Sequence, residues 1–202
     1  MALTNAYCTL SELKTSLAIE DIQDDTSLEA AIMAASRMID DYTDRFFYRD
    51  GTSAAPVIRY FTPNDWYICN VDDFVSITQI ATDDDFNQTY NTVWASSDFL
   101  VEPVNNVRRG WPYNRLLAVD RYLWPRLYPQ TVKVTAVWGW PSIPNEIQMA
   151  AKLQASRLFV RRQSPFGIAG SPDIGTVRLG SRLDPDVEVL LRPFRKNAGL
   201  AK

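Results

Sequence analysis

Aspartates are the residues of this 202-residue chain that come closest to forming a chemical site. Asp83, Asp85 and Asn87 stand at alternate positions, like the first oxygen ligands of a calcium-binding loop. Such a loop needs glycine at its sixth position and a bidentate glutamate at its twelfth. Gln88 and Trp94 occupy those positions here. The segment therefore predicts a polar hairpin turn between two strands, and we expect no metal site.

A second group of carboxylates, Asp40, Asp41 and Asp44, is spaced for one side of a helix. Paired carboxylates can perform acid–base catalysis when burial raises the pKa of one of them. Arg37 and Arg45 lie among these aspartates, on the side opposite the apolar stripe of the same helix. The pattern therefore predicts a solvated, ion-paired surface and not a catalytic site.

Histidine is absent from the chain, which excludes Ser–His–Asp triads, histidine-ligated zinc and imidazole proton shuttles. Cys–Lys, Ser–Lys and paired-carboxylate chemistry stay open on composition alone. The glycine-rich phosphate motifs and the Gly-x-Ser-x-Gly motif are also missing. Cys8 and Cys69 are too few for a disulfide framework and predict two unpaired structural thiols. We expect no enzyme, no catalytic residue and no cofactor.

Two segments, Arg108–Trp111 and Arg121–Arg126, mix arginine with aromatic residues as single-strand nucleic-acid platforms do. The net charge of −3 and the pI near 5.0 oppose phosphate binding at long range. Packing within loops and sheets is the preferred interpretation, and a nucleic-acid-binding module is kept as the alternative function. All six tryptophans lie between residues 56 and 140. A small β module cannot readily bury them all, so we expect some at subunit contacts.

Helical signals occur at both ends of the chain. Thr9 and Glu12 form a capping box that predicts a first helix, and a second capping box at Thr26–Glu29 predicts a helix of roughly five turns. Another helix is predicted from Asn145 to Arg162, apolar on two sides and so wedged between elements or subunits. Its second apolar side consists of Met149, Leu153 and Val160. A last helix begins after Asp184 as N-cap, with Pro185 at its first position.

Residues 56–140 change character, with short β-rich runs between turn residues. The runs are Val57–Phe61, Trp66–Cys69, Val75–Ala81, Tyr90–Trp94, Phe99–Glu102, Leu116–Leu123 and Thr131–Trp138. The predicted fold class is α+β, a small antiparallel bundle of about four helices with an antiparallel β module inserted between the second and third helices. The predicted division is 1–55 and 141–202 for the helical parts and 56–140 for the insertion.

Charge is distributed unevenly along the chain. Residues 1–156 carry 12 basic and 20 acidic side chains, whereas residues 157–202 carry 9 basic and 4 acidic ones. Such polarity suits either a subunit whose two ends meet different partners or a solvated basic tail, and composition alone does not distinguish them. No apolar stretch is long enough to span a membrane, and residues 1–14 lack the features of a secretory signal. We therefore expect a protein that stays in the cytosol of the cell that makes it.

The order of these elements resembles that of the head–tail connector (adaptor) proteins of long-tailed bacteriophages. The segments that carry the resemblance are Leu10–Asp25, Leu28–Phe47, Ala136–Pro144 with the helix Ile147–Arg162, Arg161–Gly167 and Leu183–Leu191. The resemblance implies a structural subunit in a ring of roughly twelve copies, a closed cyclic assembly. Such a ring docks on the portal protein, extends the DNA channel and presents a surface to a stopper or tail-completion protein.

The resemblance also implies where the protein acts and which residues make contacts. It places the protein in the virion at the head–tail interface, after assembly in the host bacterial cytoplasm, with DNA only as passing cargo and no membrane. Because C-terminal segments in that family grip the portal, we expect portal or subunit contacts at Arg162, Phe166, Arg178, Arg182, Arg192, Phe194, Arg195 and Lys196. Deleting residues 192–202 is expected to abolish portal binding and to leave the fold intact.

Overall fold

The computed structural model describes residues 3–161, 168–169, 177–178 and 183–196. The chain divides into two compact units. A helical unit lies within Met1–Arg45 and Ile143–Asn197, and a β unit lies within Phe46–Ser142. Among the described residues, no helix combines the length and the apolar character that crossing a membrane requires.

The described part of the helical unit contains four α-helices: α1 (Leu10–Leu17), α2 (Asp25–Thr43), α3 (Asn145–Arg161) and α4 (Pro185–Leu191). A 3-10 turn, Arg192–Phe194, follows α4. The two long helices, α2 and α3, pack along each other, and α1 packs against both of them. The short helix α4 packs mainly on α3. A two-stranded ribbon joins β7 (Ile168–Ala169) to β8 (Val177–Arg178).

Local signals set three of the helix boundaries. The Thr9 hydroxyl accepts from the Glu12 amide and the Glu12 carboxylate accepts from the Thr9 amide, which confirms the first capping box. The Asp184 side chain accepts from the Asp186 amide at the start of α4, as predicted. The second capping box is wrong, because α2 already begins at Asp25. It ends at Thr43, where the next residue adopts a left-handed conformation.

The predicted small antiparallel bundle of four helices is wrong. Helices α1 and α4 have eight and seven residues, so they are only about 12 and 10 Å long at 1.5 Å per residue. Helices α2 and α3 have 19 and 17 residues and are more than twice as long. The helical unit is therefore one long helix pair with two short helices packed on it.

The β unit is larger than the predicted inserted module, because it holds a six-stranded antiparallel sheet of its own. The strands are β1 (Val57–Phe61), β2 (Ile68–Thr82), β3 (Thr92–Trp94), β4 (Phe99–Glu102), β5 (Tyr113–Ala118) and β6 (Val132–Trp138). Their order is β1-β6-β2-β5-β4, and β3 pairs with β2. The bounds predicted for β1 and β4 are confirmed. The predicted run Val75–Ala81 and the last two residues of the predicted run Trp66–Cys69 instead belong to the single strand β2.

Strand β2 connects the two halves of the sheet. Its first part pairs with β5 and its second part with β6, and Phe74 belongs to both pairings. The register shifts on both sides of Phe74, and such bulges bend a strand and increase its twist. A strand bent in this way can turn one face of the sheet inward and enclose a core.

Tryptophan supplies much of that core. Trp94, Trp124, Trp138 and Trp140 are all at least 92% buried, so these four are not among the tryptophans expected at subunit contacts. Their indole N–H groups are satisfied inside the β unit, as the Trp138 bond to the Val57 carbonyl at 2.9 Å illustrates. The remaining apolar core side chains are Cys69, Val71, Phe74, Ile80, Leu116, Ala118, Val132, Val134 and Ala136.

Candidate functional site

Asp40 is the most perturbed carboxylate among the described residues. Only 4% of it is exposed, because Tyr7 covers it and donates a hydrogen bond from its hydroxyl to Asp40 Oδ1. Arg37 forms an ion pair with Asp40 Oδ2 at 3.1 Å. Burial raises the pKa of Asp40 to about 6, although the hydrogen bond from Tyr7 and the charge of Arg37 both lower it. The prediction of a solvated surface is therefore wrong for Asp40.

The surroundings of Asp40 indicate a structural role. The Tyr7 amide donates to the Ser36 hydroxyl at 3.1 Å, and Arg37 donates to the Asn5 carbonyl at 2.8 Å. The N-terminal segment is thus bound to α2 at several points, and Asp40 serves as one of its anchors. This is a buried hydrogen-bond network that fastens two pieces of chain.

The acidic segment that begins at Asp83 is a closed turn. The Asp83 carboxylate accepts from the amides of Asn87 and Gln88 at 3.2 and 2.8 Å. Strands β2 and β3 pair on either side of it, which confirms the predicted hairpin. No group of three or more metal-ligating side chains with a suitable arrangement occurs in the part of the chain that the structure describes.

Both thiols lie in the interior of their units. Burial raises the pKa of Cys8 to about 11 and that of Cys69 to about 12. Neither sulfur is in a disulfide. A thiol with so high a pKa is almost entirely protonated at neutral pH and is a poor nucleophile. These two cysteines therefore act as small core side chains.

The arginine–aromatic segments use their rings within the fold. Trp124 is fully buried and stacks on Trp94 at 3.9 Å, and Trp111 contacts Trp140 at 4.9 Å between ring centroids. Arg126 lies over the Trp66 ring at 5.5 Å. A platform for single-stranded nucleic acid needs ring faces that are open to bases. Trp124, which has no exposed surface, cannot supply one.

The predicted C-terminal contact residues fall into two groups. Phe194 is 94% buried, and the Lys196 amide donates to the Thr43 carbonyl at the end of α2 at 2.8 Å. Arg195 places its guanidinium over the Tyr42 ring at 5.0 Å, and Arg192 is exposed. This segment is part of the helical unit, so deleting residues 192–202 would damage the fold. The expectation that this deletion leaves the fold intact is therefore wrong.

The side chains of the other four predicted contact residues lie outside the described part of the structure. Arg162, Phe166 and Arg182 lie outside the described residues. Arg178 is in β8, paired with Ile168, and its side chain lies outside the described part. Their contact roles stay predictions.

Helix α3 carries a second apolar face that is substantially exposed among the described residues. The buried side of the helix includes Ile147, Ala150, Ala151, Ala155 and Phe159. Met149, Leu153 and Val160 are 48%, 42% and 52% exposed. These three residues, which we call the α3 stripe, recur at helical spacing on one side. A helix with a second, solvent-facing apolar stripe is suited to packing against another subunit.

The β unit carries a second exposed apolar surface, formed where three loops meet. Phe86 and Tyr128 are in ring contact at 4.6 Å, and Arg126 lies on Trp66. Leu127 is 68% exposed and Tyr128 is 57% exposed. We call Trp66, Phe86, Arg126, Leu127 and Tyr128 the aromatic patch. Exposed aromatic side chains with an arginine among them are typical of protein interfaces.

Sequence reasoning identified the α3 stripe but missed the aromatic patch and the role of Tyr7. The signal for the patch was present in Pro125–Pro129, where two prolines enclose Arg126, Leu127 and Tyr128. Bulky apolar side chains in a short, stiff loop have no core to enter, which favours an interface. Nothing local indicates that Tyr7 covers Asp40, because the two are 33 residues apart.

Comparisons with known proteins identify similar folds. No protein family model matches the chain, and no curated protein matches it. The chain is similar to a chain in the neck of an empty gene transfer agent particle computed with C6 symmetry, with 16% identity, a TM-score of 0.58 and coverage of 97% of this chain and 93% of that one. It is similar to a chain in the virion of a native gene transfer agent particle, with 16% identity, a TM-score of 0.57 and coverage of 100% and 97%. At this identity the likeness is one of fold.

Proposed function

We propose that the protein is a structural subunit of the head–tail connector of a phage-like particle. Its ring docks on the portal protein, extends the DNA channel and presents a surface to a stopper or tail-completion protein. The observation that carries this proposal is the fold shared over nearly the whole chain with a chain in the neck of a gene transfer agent particle. The resemblance of both helical ends to head–tail connector proteins supports it from the sequence.

The uncovered apolar surfaces favour assembly over catalysis. The α3 stripe exposes Met149, Leu153 and Val160, and burying such residues against a neighbouring copy would be favourable by roughly 25 cal/mol per Å² of apolar area. Self-association in a ring of roughly twelve copies, with head-to-tail contacts, gives every stripe a partner. The protein then acts as part of the virion, and its chemistry is that of surfaces.

The basic C-terminal end is assigned to the portal. Arg192 and Arg195 are exposed on the helical unit, and the preceding segment, which contains Arg162, Phe166, Arg178 and Arg182, adds further cations. Charge excess of one sign at one end of a chain speeds and orients docking on a surface of the opposite sign. In this proposal the helices of residues 1–55 and 141–202 build the ring body.

A mass measurement tests the proposal. The purified chain is measured alone and after addition of the portal protein of the same particle. The expected result is a closed ring of roughly twelve copies, either free or bound to the portal. A chain that stays monomeric in the presence of assembled portal contradicts the proposal. DNA binding with a steep dependence on salt would favour the nucleic-acid module instead.

A further inference from the structure

We infer that the aromatic patch of one copy binds the α3 stripe of the next copy, and that this pairing is the head-to-tail contact of the ring. The inference deepens the proposed function and rests on it. It makes each of the two exposed apolar surfaces described above, one on the β unit and one on the helical unit, the binding partner of the other in a neighbouring copy. The proposed function by itself does not say which surface either of them contacts.

Hydrogen bonds fix the loop that carries Arg126, Leu127 and Tyr128 of the aromatic patch. The Thr131 hydroxyl donates to the Pro125 carbonyl and so closes the loop that presents Leu127 and Tyr128. The Gln130 amide donates to the Thr62 hydroxyl at 2.9 Å, and the Tyr90 hydroxyl donates to the Gln130 carbonyl at 2.6 Å. Because the loop is fixed to both neighbouring loops, little conformational entropy is lost when the patch binds.

Cyclic assembly explains why there are two unlike surfaces. A two-fold contact uses one patch twice, whereas a head-to-tail contact in a ring pairs two different patches on every subunit. The α3 stripe is a narrow row of aliphatic and thioether side chains on a rigid helix. The aromatic patch is a broader surface of rings and one leucine on stiff loops. A helix laid across an aromatic surface is a common mode of recognition between proteins.

Charges beside the two surfaces are complementary. Asp84 and Asp85 are exposed next to Phe86, and Arg161 lies in the last turn of α3, after Val160. The opposite combination also occurs, because Arg126 belongs to the aromatic patch and Glu146 is exposed in the first turn of α3. Opposite charges around an apolar centre orient the two surfaces relative to each other.

A complementation experiment tests the pairing. Leu153→Glu disrupts the α3 stripe, and Leu127→Glu disrupts the aromatic patch. Both side chains are substantially exposed, so each variant should keep the circular dichroism spectrum and the Tm of the wild type. Val189→Glu and Val93→Glu are matched controls, because they place the same charge at exposed valines of the helical and β units outside both surfaces. Association is followed by native mass spectrometry, alone and with portal.

Each variant alone should bind copies of itself at least about thirtyfold more weakly than the wild type, the effect of losing one hot-spot residue. An equal mixture should form one-to-one dimers and nothing larger, because one intact stripe and one intact patch remain in the pair. The controls should assemble like the wild type.

Two results overturn the inference. Normal rings of Leu127→Glu, free or on the portal, would exclude the aromatic patch from the contact while leaving the proposed function in place. A mixture without heterodimers, under the conditions (free or on the portal) in which the wild type associates, would show that the two surfaces do not bind each other. By contrast, a wild type that forms no ring even on the portal contradicts the proposed function itself.

Discussion

The indole rings of Trp94 and Trp124 stack face to face, with centroids 3.9 Å apart and planes 8° from parallel. Trp94 donates from Nε1 to the hydroxyl of Thr82, the last residue of β2. Trp124 donates from Nε1 to the carbonyl of Tyr67, immediately before β2. A straight strand of that length would separate its ends by roughly 45 Å. The stacked pair therefore depends on the bend in β2 and closes the core of the β unit.

Replacing Trp124 by alanine should strongly destabilise the β unit. The change leaves a large cavity next to Trp94 and removes one of the two donors to the Tyr67 carbonyl, which keeps the Ala118 amide. We therefore expect a loss of about 3–5 kcal/mol in the free energy of unfolding, mainly from the cavity. Urea denaturation followed by near-ultraviolet circular dichroism measures it. Trp66→Ala is the matched control: Trp66 is 41% exposed, and its loss should cost about 1 kcal/mol or less. Equal losses would contradict the described core.

Local parts of the fold could be predicted from the sequence, whereas long-range ones could not. The capping box at Thr9 and the N-cap at Asp184 involve residues two or three positions apart, and both were predicted. Strand β2 was divided in two because Asp72 and Asp73 are poor strand residues. In the fold Asp72 binds Arg59 at 2.7 Å and Asp73 accepts from the Trp140 indole at 3.2 Å. Those partners are 13 and 67 residues away.

The α3 stripe could be predicted from the sequence, whereas the aromatic patch could not. Spacing alone separates the two sides of α3, so the stripe containing Leu153 was predicted as a second apolar side. The aromatic patch depends on Phe86 and Tyr128 meeting across two loops, and no spacing rule reveals that meeting. The number of tryptophans could not show which of them are exposed, because composition cannot distinguish a ring such as Trp138 that is buried in a bent sheet from one at an interface.

Gly139 should not tolerate a side chain. Its φ is +93°, and a Cβ atom there would overlap the carbonyl oxygen of Tyr48. Gly139→Ala therefore combines a left-handed backbone penalty of about 1–2 kcal/mol with a backbone collision, and we expect a fall in Tm large enough to reduce soluble expression. Gly110 is the control: its φ is +71° with open space around it, so Gly110→Ala should show only the backbone penalty. The two Tm values, compared by calorimetry, should differ clearly.

Asp40 should make stability depend on pH. Burial raises its pKa to about 6, above the value of about 3.9 in an unfolded chain. The folded state therefore binds the proton more tightly, and the contribution of Asp40 to stability is greatest below about pH 4 and declines as the pH rises to about 6. Asp40→Asn removes that decline, so the free energy of unfolding of the variant minus that of the wild type should increase across this range.

Denaturant titrations at pH 4, 5, 6 and 7 measure this dependence. A tenfold difference in proton affinity between the folded and unfolded states corresponds to about 1.4 kcal/mol in the free energy of unfolding. Asp41→Asn provides the comparison, because the neighbouring Asp41 charge is one of the causes that raise the pKa of Asp40. This variant should therefore lessen the decline in stability without removing it, since Asp40 stays buried. A constant difference for Asp40→Asn would show that Asp40 is not protonated more readily in the folded protein.

Two residues of the C-terminal segment should have different effects when substituted, one on folding and the other on portal binding. Phe194 is buried in the helical unit and the Lys196 amide binds the end of α2, so Phe194→Ala should cost about 3–5 kcal/mol of stability. Arg192 is exposed two residues earlier, and Arg192→Glu should leave Tm within about 2 °C of the wild type, as surface substitutions do. If the basic end binds the portal, Arg192→Glu should weaken that binding and make it less sensitive to salt. Unchanged portal affinity for Arg192→Glu, measured by pull-down on assembled portal at two salt concentrations, would remove Arg192 from the portal contact.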